Sequence, residues 1–242
     1  RNALTANTTA NDNVAVGDLA MNTNTTGATN VAVGAQALEA NTTASDNVAV
    51  GYKALEANTT GGDNIAIGSQ SLLVNTTGGD NVSIGTDAMQ SNTTGADNVA
   101  IGKDCMLANT EGVNNVAMGN ISLIANTTGS RNTAIGAESM NDNTTADNNT
   151  AIGYASLSKN TTGTSNTALG WAALEVNTTA SNNIAVGHAA ARSNTTGTRI
   201  TAIGYAALDG QDTENDNIAI GYNAMTTNNA GGEYNVVVGN YA

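Results

Sequence analysis

The sequence predicts an all-β protein, a parallel β-solenoid or β-roll of about fourteen 17-residue coils. The first observation is a Gly that recurs at every seventeenth position from Gly17 to Gly221, with a last one at Gly239 after an interval of eighteen. The second is the length of this period, because a helical repeat needs about 33 residues for its two helices. The third is the run of small and β-branched residues before each Gly, which favours an extended strand.

Each predicted strand is the short run that ends at the repeated Gly, such as Val14 to Val16. An Asn lies four residues before the Gly in thirteen of the fourteen units, and only Ile200 interrupts this column. Asn columns of this kind stack from coil to coil. Because alternate residues of a strand face opposite sides, we expect Val14 and Val16 to face the core of their own coil and Ala15 to face outward.

The residues after the Gly predict the opposite wall of the core. The third residue is always Ala, Ser or Cys, and the fourth is Leu or Met except at Ala191. Cys105 occupies the small-residue column and is therefore predicted to be a buried small apolar side chain. One coil holds about three large apolar side chains, worth roughly 2 kcal/mol each, so stability must come from stacking of the coils.

An Asn-Thr-Thr turn lies ten residues before the Gly in eleven units. The composition favours a turn ladder in which Asn and Thr side chains bond to the backbone. The alternative is glycan decoration, because each triplet is also an N-glycosylation acceptor. The candidate acceptors are Asn7, Asn24, Asn41, Asn58, Asn75, Asn92, Asn126, Asn143, Asn160, Asn177 and Asn194.

The residue two before the Gly is Ala in twelve of the fourteen units, with Ser83 and Val237 as exceptions. A uniform small column on an outward face indicates close packing, and the simplest partner is the same column of identical chains around a common axis. The alternative is a solvent-exposed stripe left by recent duplication of the unit. The predicted interchain residues are Ala15, Ala32, Ala49, Ala66, Ala100, Ala117, Ala134, Ala151, Ala168, Ala185, Ala202 and Ala219.

The run Asn98-Val99-Ala100-Ile101-Gly102 resembles the head repeats of trimeric autotransporter adhesins and repeats of phage tail-fibre proteins. Nearly the whole chain carries the pattern, so residues 1–242 are expected to be one continuous array within a longer fibre protein. The resemblance implies a homotrimeric left-handed β-roll that gives reach and attachment to a fibre at the cell surface, outside the cell or on a virion. The Asn-Thr-Thr insertion is closer to the tail-fibre arrays than to the shorter adhesin repeat.

Aromatic residues follow the Gly directly in five successive units, where stacked coils would align them. This aromatic file offers two interpretations, which are contact with a sugar or receptor and structural stacking. Only Tyr52 occupies the equivalent position in the first half. The candidate ligand-binding residues are Tyr154, Trp171, His188, Tyr205 and Tyr222.

The charge of the chain argues against two classes of partner. A net charge of −13 with seven Lys and Arg residues lacks the basic footprint that nucleic acids and anionic membranes require. No run of eighteen apolar residues is present, so no membrane insertion is expected of this segment. The expected partners are copies of the chain itself and a host-surface glycan or receptor.

Chemistry at a metal or a catalytic centre has little support in the sequence. Asp46, Asp63, Asp80 and Asp97 fall in one column, and solvated turn carboxylates are favoured over a bridged cation because later units replace them. His188 is the only His and has no organised Ser or Cys partner, so no catalytic triad is indicated. We therefore expect no enzyme, no metal and no cofactor.

Two further functions were weighed against the adhesive fibre. A self-assembling surface fibril coated with glycans would stack its open solenoid ends head to tail. A binder of ice or crystal surfaces would present its Thr columns as a regular lattice of hydroxyls. In this sequence, however, the Thr residues are adjacent in a turn and do not alternate along a flat strand.

Overall fold

The computed structural model describes residues 2–210, 213–226 and 232–242. These residues form an all-β parallel β-solenoid of 14 strands and about 13 coils, with no helix. The chain divides into two compact units, Arg1–Thr128 and Gly129–Ala242, which we call unit 1 and unit 2. The solenoid predicted from the 17-residue period is confirmed.

Unit 1 contains seven parallel strands of three residues each. Neighbouring strands pair with a shift of one repeat, so that Ala15 lies opposite Ala32 and Val48 lies opposite Ile65. The strands are β1 Val14–Val16, β2 Val31–Val33, β3 Val48–Val50, β4 Ile65–Ile67, β5 Val82–Ile84, β6 Val99–Ile101 and β7 Val116–Met118.

Unit 2 contains seven further strands in the same parallel arrangement. Ala168 lies between Ala151 and Ala185, so the small residues again form one column across the strands. The strands are β8 Thr133–Ile135, β9 Thr150–Ile152, β10 Thr167–Leu169, β11 Ile184–Val186, β12 Thr201–Ile203, β13 Ile218–Ile220 and β14 Val236–Val238.

Left-handed backbone turns bend each coil after its strand. In the coil that follows β2, Gly34 has φ 139° and an added Cβ would lie 2.3 Å from the carbonyl oxygen of Gly51 in the next coil. Gln36, Leu38 and Asp46 also have positive φ, at 60°, 52° and 62°. Asp tolerates this region better than most residues, whereas Leu38 is held there by complete burial in the core.

The alternation of the strands is observed, but its direction is opposite to the prediction. The middle Ala of the strand faces the core of its own coil, so the predicted outward, interchain role of the Ala column is wrong. A coil interior that already holds a Leu or Met leaves room for only a small residue opposite it. Ala15 is half-buried, and the completely buried residues are Ala32, Ala49, Ala66, Ala100, Ala117, Ala134, Ala151, Ala168, Ala185, Ala202 and Ala219.

The columns after the Gly complete the core as the sequence predicts. Leu38, Met89 and Leu174 are completely buried, and so is Ala191, which stands where the other coils have Leu or Met. Cys105 is also buried, and its Sγ lies 3.3 Å from the carbonyl oxygen of Ala117. The core is therefore a thin stack of repeated columns that runs through each unit.

The first and third residues of the strands point away from the core, and we call this surface the strand outer face. In unit 1 all fourteen of these residues are Val, Ile or Met, and each is half-buried or exposed. In unit 2 Thr occupies the first position of four strands, at Thr133, Thr150, Thr167 and Thr201. The outer face is thus wholly apolar in unit 1 and mixed in unit 2.

Candidate functional site

The aromatic file of unit 2, formed by Tyr154, Trp171, His188, Tyr205 and Tyr222, is a continuous stack of rings. Successive ring centroids lie 6.5, 4.5, 4.9 and 4.9 Å apart, and the planes of adjacent rings differ by 9–15°. Each ring is the residue directly after the Gly of its coil, so the spacing of the coils sets the spacing of the rings. The predicted alignment of the file is confirmed.

Stacking leaves the edges of these rings exposed and covers most of their faces. The four Tyr and Trp side chains of the file are 42–46% exposed, and His188 is also exposed. The negative π-face is the surface that attracts C–H groups of a sugar, whereas the ring edge is positive. Rings in the interior of the file therefore cannot offer a sugar the face on which it would stack.

The two ends of the file differ. At one end Tyr222 meets the ring of Tyr241 at 5.3 Å with a tilt of 56°. At the other end, the equivalent position one coil before Tyr154 is Ala137, whose carbonyl oxygen accepts a hydrogen bond from Ala155 N at 3.0 Å. Among the described residues no ring stacks on that side of Tyr154, so one of its faces is uncovered.

Carboxylates lie beside this end of the file. The Tyr154 hydroxyl donates a hydrogen bond of 3.1 Å to Glu138 Oε1. This hydrogen bond and the charge of Glu138 raise the pKa of Tyr154, with a smaller contribution from the charge of Glu175. Glu175 also accepts a hydrogen bond of 2.8 Å from Arg192, whose guanidinium lies 5.9 Å from the centre of the Trp171 ring.

The Asn of the Asn-Thr-Thr turn forms a buried ladder, as the turn interpretation predicts. Asn92 Nδ2 donates to Asn75 Oδ1 in the preceding coil and to the carbonyl oxygen of Gly95, each at 2.9 Å. Asn7 is half-buried and donates to the carbonyl oxygen of Ala10 at 3.1 Å.

Glycosylation requires the same side-chain nitrogen to be free and exposed. The glycan interpretation is therefore wrong for the folded chain at every acceptor that is completely buried. These are Asn24, Asn41, Asn58, Asn75, Asn92, Asn126, Asn143, Asn160, Asn177 and Asn194.

A second Asn ladder lies immediately before the strands. Asn98 Oδ1 accepts a hydrogen bond from the backbone N–H of Asn115 at 2.9 Å, and Asn98 Nδ2 donates to the carbonyl oxygen of Gly112 at 2.8 Å. Ile200 interrupts this column but keeps one bond, because its backbone N–H donates to Asn183 Oδ1 at 2.9 Å. The stacked Asn column expected from the sequence is confirmed.

The two Thr residues of the turn have different environments. Thr76 Oγ1 donates to the carbonyl oxygen of Thr93 in the next coil at 3.1 Å, whereas Thr77 is exposed. Each coil thus presents one free hydroxyl in a single file. A lattice of two parallel Thr columns, which an ice-surface binder would need, is not formed by these turns.

The Asp column lies on the surface at a left-handed turn. Asp46, Asp63, Asp80 and Asp97 are exposed and have φ of 57–62°. Asp and Asn tolerate this backbone region, which explains the column without a bound ion. Among the described residues, no group of three or more His, Cys, Asp or Glu side chains could hold a metal ion.

Sequence reasoning missed the strand outer face of unit 1 and the uncovered face of Tyr154. The first had a signal, because the Thr residues of strands β8, β9, β10 and β12 mark the outward positions. The second depends on ring stacking, which the repeat alone does not specify. The part of the chain that the structure describes contains neither a cavity nor a helix long and apolar enough to cross a membrane.

The chain was compared with known families, proteins and structures. No family model, no curated protein and no solved structure matches it.

Proposed function

We propose that this chain is a structural and adhesive segment of an extracellular or virion fibre, assembled as a homotrimer through the strand outer face. The observation that carries the proposal is the composition of that face in unit 1. Its fourteen outward side chains are all Val, Ile or Met, with no polar residue among them.

An apolar face of this kind is costly to leave in water. Burial of apolar surface is worth about 25 cal/mol per Å², and continuous apolar patches on soluble proteins commonly mark contact sites. An identical face on a second copy has the same flat, in-register columns and therefore the same spacing of side chains. The number of copies, three, comes from the resemblance to adhesin heads and tail fibres.

The hydrogen bonding within each unit supports a rigid segment. Backbone groups bond from coil to coil, as in Val48 N to Asn64 O and Gly51 N to Val33 O, both at 2.8 Å. Two buried Asn ladders add side-chain bonds at the same spacing. A stack in which each coil is bonded to the next suits a shaft better than a domain that must open and close.

The attachment role is placed in unit 2, where aromatic rings are exposed. Tyr and Trp combine an apolar body with a polar tip, and this combination suits sugars and receptor surfaces. The net charge of −13 makes a nucleic acid or an anionic membrane an unfavourable partner. A glycan or a protein receptor at a host surface is therefore the proposed target.

Sedimentation equilibrium over a wide range of protein concentration tests the assembly. The expected result is a single species with three times the chain mass of 24.1 kDa. A chain that stays monomeric at all concentrations would overturn the proposed assembly.

A further inference from the structure

We propose that the uncovered face of Tyr154 is a binding platform for a neutral or amino-bearing pyranose sugar, with Glu138 as its hydrogen-bond acceptor. This inference rests on the proposed attachment role. It assigns that role to one end of the aromatic file and excludes the file's interior.

The stacking geometry selects the end. Trp171, His188 and Tyr205 each have a ring on both sides, at centroid distances of 4.5–6.5 Å. Tyr154 is stacked by Trp171 on one side, and position 137 on the other side holds a half-buried Ala. Because the equivalent ring is missing at Ala137, the space beside Tyr154 is open to the flat C–H face of a pyranose.

The charges beside the platform select the ligand. Glu138 Oε1 already accepts the Tyr154 hydroxyl proton at 3.1 Å, and a carboxylate has further lone pairs for the hydroxyls of a sugar. Glu175 lies close enough for its charge to act on Tyr154. Two carboxylates repel an acidic sugar and attract an ammonium group, so neutral and amino sugars are favoured over uronic acids.

Tyr52 in unit 1 provides a natural comparison. Its ring is 50% exposed, and its neighbours in the column, Ala35 and Ser69, carry no ring. The ammonium of Lys53, however, lies 5.7 Å from the centre of the Tyr52 ring. The residue equivalent to Glu138 is Gln36, which is uncharged and donates to Glu39 at 2.8 Å. Tyr52 therefore lacks the carboxylate that the Tyr154 platform has.

Replacing Tyr154 itself would be ambiguous, because its loss would uncover a face of Trp171. Covering the platform avoids this problem. Ala137→Leu places a branched side chain against the open face and leaves all five rings in place. Ala35→Leu makes the same change beside Tyr52 and is the matched control. Glu138→Gln removes the charge of the acceptor at a half-buried position where the fold is not at risk.

Binding is measured by NMR titration of the Tyr ring signals and by fluorescence of Trp171, the only Trp of the chain. The probes are methyl β-D-glucopyranoside, methyl β-D-glucosaminide and methyl β-D-glucuronide. A single sugar on one ring is expected to bind the wild type with a dissociation constant of about 1–10 mM. The glucosaminide is expected to bind most tightly and the glucuronide most weakly.

Ala137→Leu is expected to weaken binding of the glucoside at least about tenfold. Ala35→Leu is expected to leave it unchanged, and Glu138→Gln to reduce the preference for the glucosaminide over the glucuronide. The inference is overturned if no probe perturbs Tyr154, if Ala137→Leu binds like the wild type, or if Ala35→Leu removes binding instead. Sedimentation of the same samples separates these outcomes, because a trimer that binds no sugar refutes the platform alone.

Discussion

Asn41 Nδ2 lies 2.8 Å from Asn24 Oδ1 and 3.0 Å from the carbonyl oxygen of Ala44, and both Asn side chains are completely buried. One amide group thus closes its own turn and joins two successive coils. The repeated Asn is therefore fixed by hydrogen bonding inside the coil, although the same triplet has the form of a glycosylation signal.

Replacing one Asn of this ladder should destabilise the coils around it. Asn58 donates to Asn41 Oδ1 at 3.2 Å and to Gly61 O at 2.8 Å, and its Oδ1 accepts from Asn75 at 3.0 Å. Asn58→Ala leaves Asn41 Oδ1 buried without this donor, and each such group costs about 1–3 kcal/mol. Urea unfolding and amide exchange should show the loss.

The control for this change is Thr60→Ala, which removes the same glycosylation signal at an exposed position. It should alter stability by less than about 0.5 kcal/mol. Equal stability of the two variants would contradict the structural role of the ladder.

The Gly that follows the strand should not tolerate a side chain. Gly68 has φ 133°, and an added Cβ would lie 2.4 Å from the carbonyl oxygen of Gly85. Gly68→Ala is therefore expected to cost at least about 3 kcal/mol, measured by thermal or urea unfolding. Gly62→Ala is the control, because its Cβ would lie 3.2 Å from Ser45 O and Ala occupies the equivalent position 28. Similar stabilities would refute the predicted contact between coils.

Cys105 should be unreactive in the folded chain. Burial raises the pKa of this thiol to about 12. The pKa is higher in the folded than in the unfolded state, so its contribution to stability is complete below the unfolded pKa and disappears as pH rises through about 12. Iodoacetamide at pH 8 should modify Cys105 only after unfolding. Rapid modification without unfolding would show that the column is not buried.

The ionisation of Tyr154 should report its contact with Glu138. The hydrogen bond and the carboxylate charge raise the pKa of Tyr154, so its hydroxyl should stay protonated above the pH at which an unperturbed Tyr ionises. The stabilising contribution is present below the unfolded pKa and is lost as pH rises through the folded pKa. NMR titration of the Tyr ring carbon measures this. Glu138→Gln should lower the pKa, and an unchanged titration would argue against the contact.

The strands, the turns and the stacked Asn columns could be predicted because each depends on residue type at a fixed place in the repeat. Val99, Ala100 and Ile101 show the limit of such reasoning. Alternation indicates that Ala100 faces away from its neighbours, but all three residues are apolar, and the pattern does not say which side is the core. The width of the coil decides this, since Met106 and Cys105 already fill the space opposite Ala100.

The aromatic file shows a second limit of the sequence. Its alignment followed from the period, whereas the covering of its faces depends on ring orientation. The interval between Tyr154 and Trp171 is 6.5 Å, while that between Trp171 and His188 is 4.5 Å, although the same 17 residues separate each pair. Residue spacing alone could not show that Ala137 leaves one ring face open.

The outward direction of the Val and Ile side chains is tested by giving unit 1 the pattern of unit 2. Four first positions of unit 1 strands are replaced by Thr, a residue that the equivalent positions of β8, β9, β10 and β12 already hold. The changes are Val48→Thr, Ile65→Thr, Val82→Thr and Val99→Thr. A control with the same number of changes removes exposed turn hydroxyls by Thr43→Ala, Thr60→Ala, Thr77→Ala and Thr94→Ala.

The molar mass of these two variants and the wild type, measured by light scattering, tests the proposed assembly most directly. The wild type and the turn control should have three times the 24.1 kDa chain mass. The strand variant should keep its circular dichroism spectrum and shift towards the mass of one chain, because hydroxyls buried at an interface without partners weaken it. A monomeric wild type, or a strand variant with the mass of the wild type, would contradict assembly through the strand outer face.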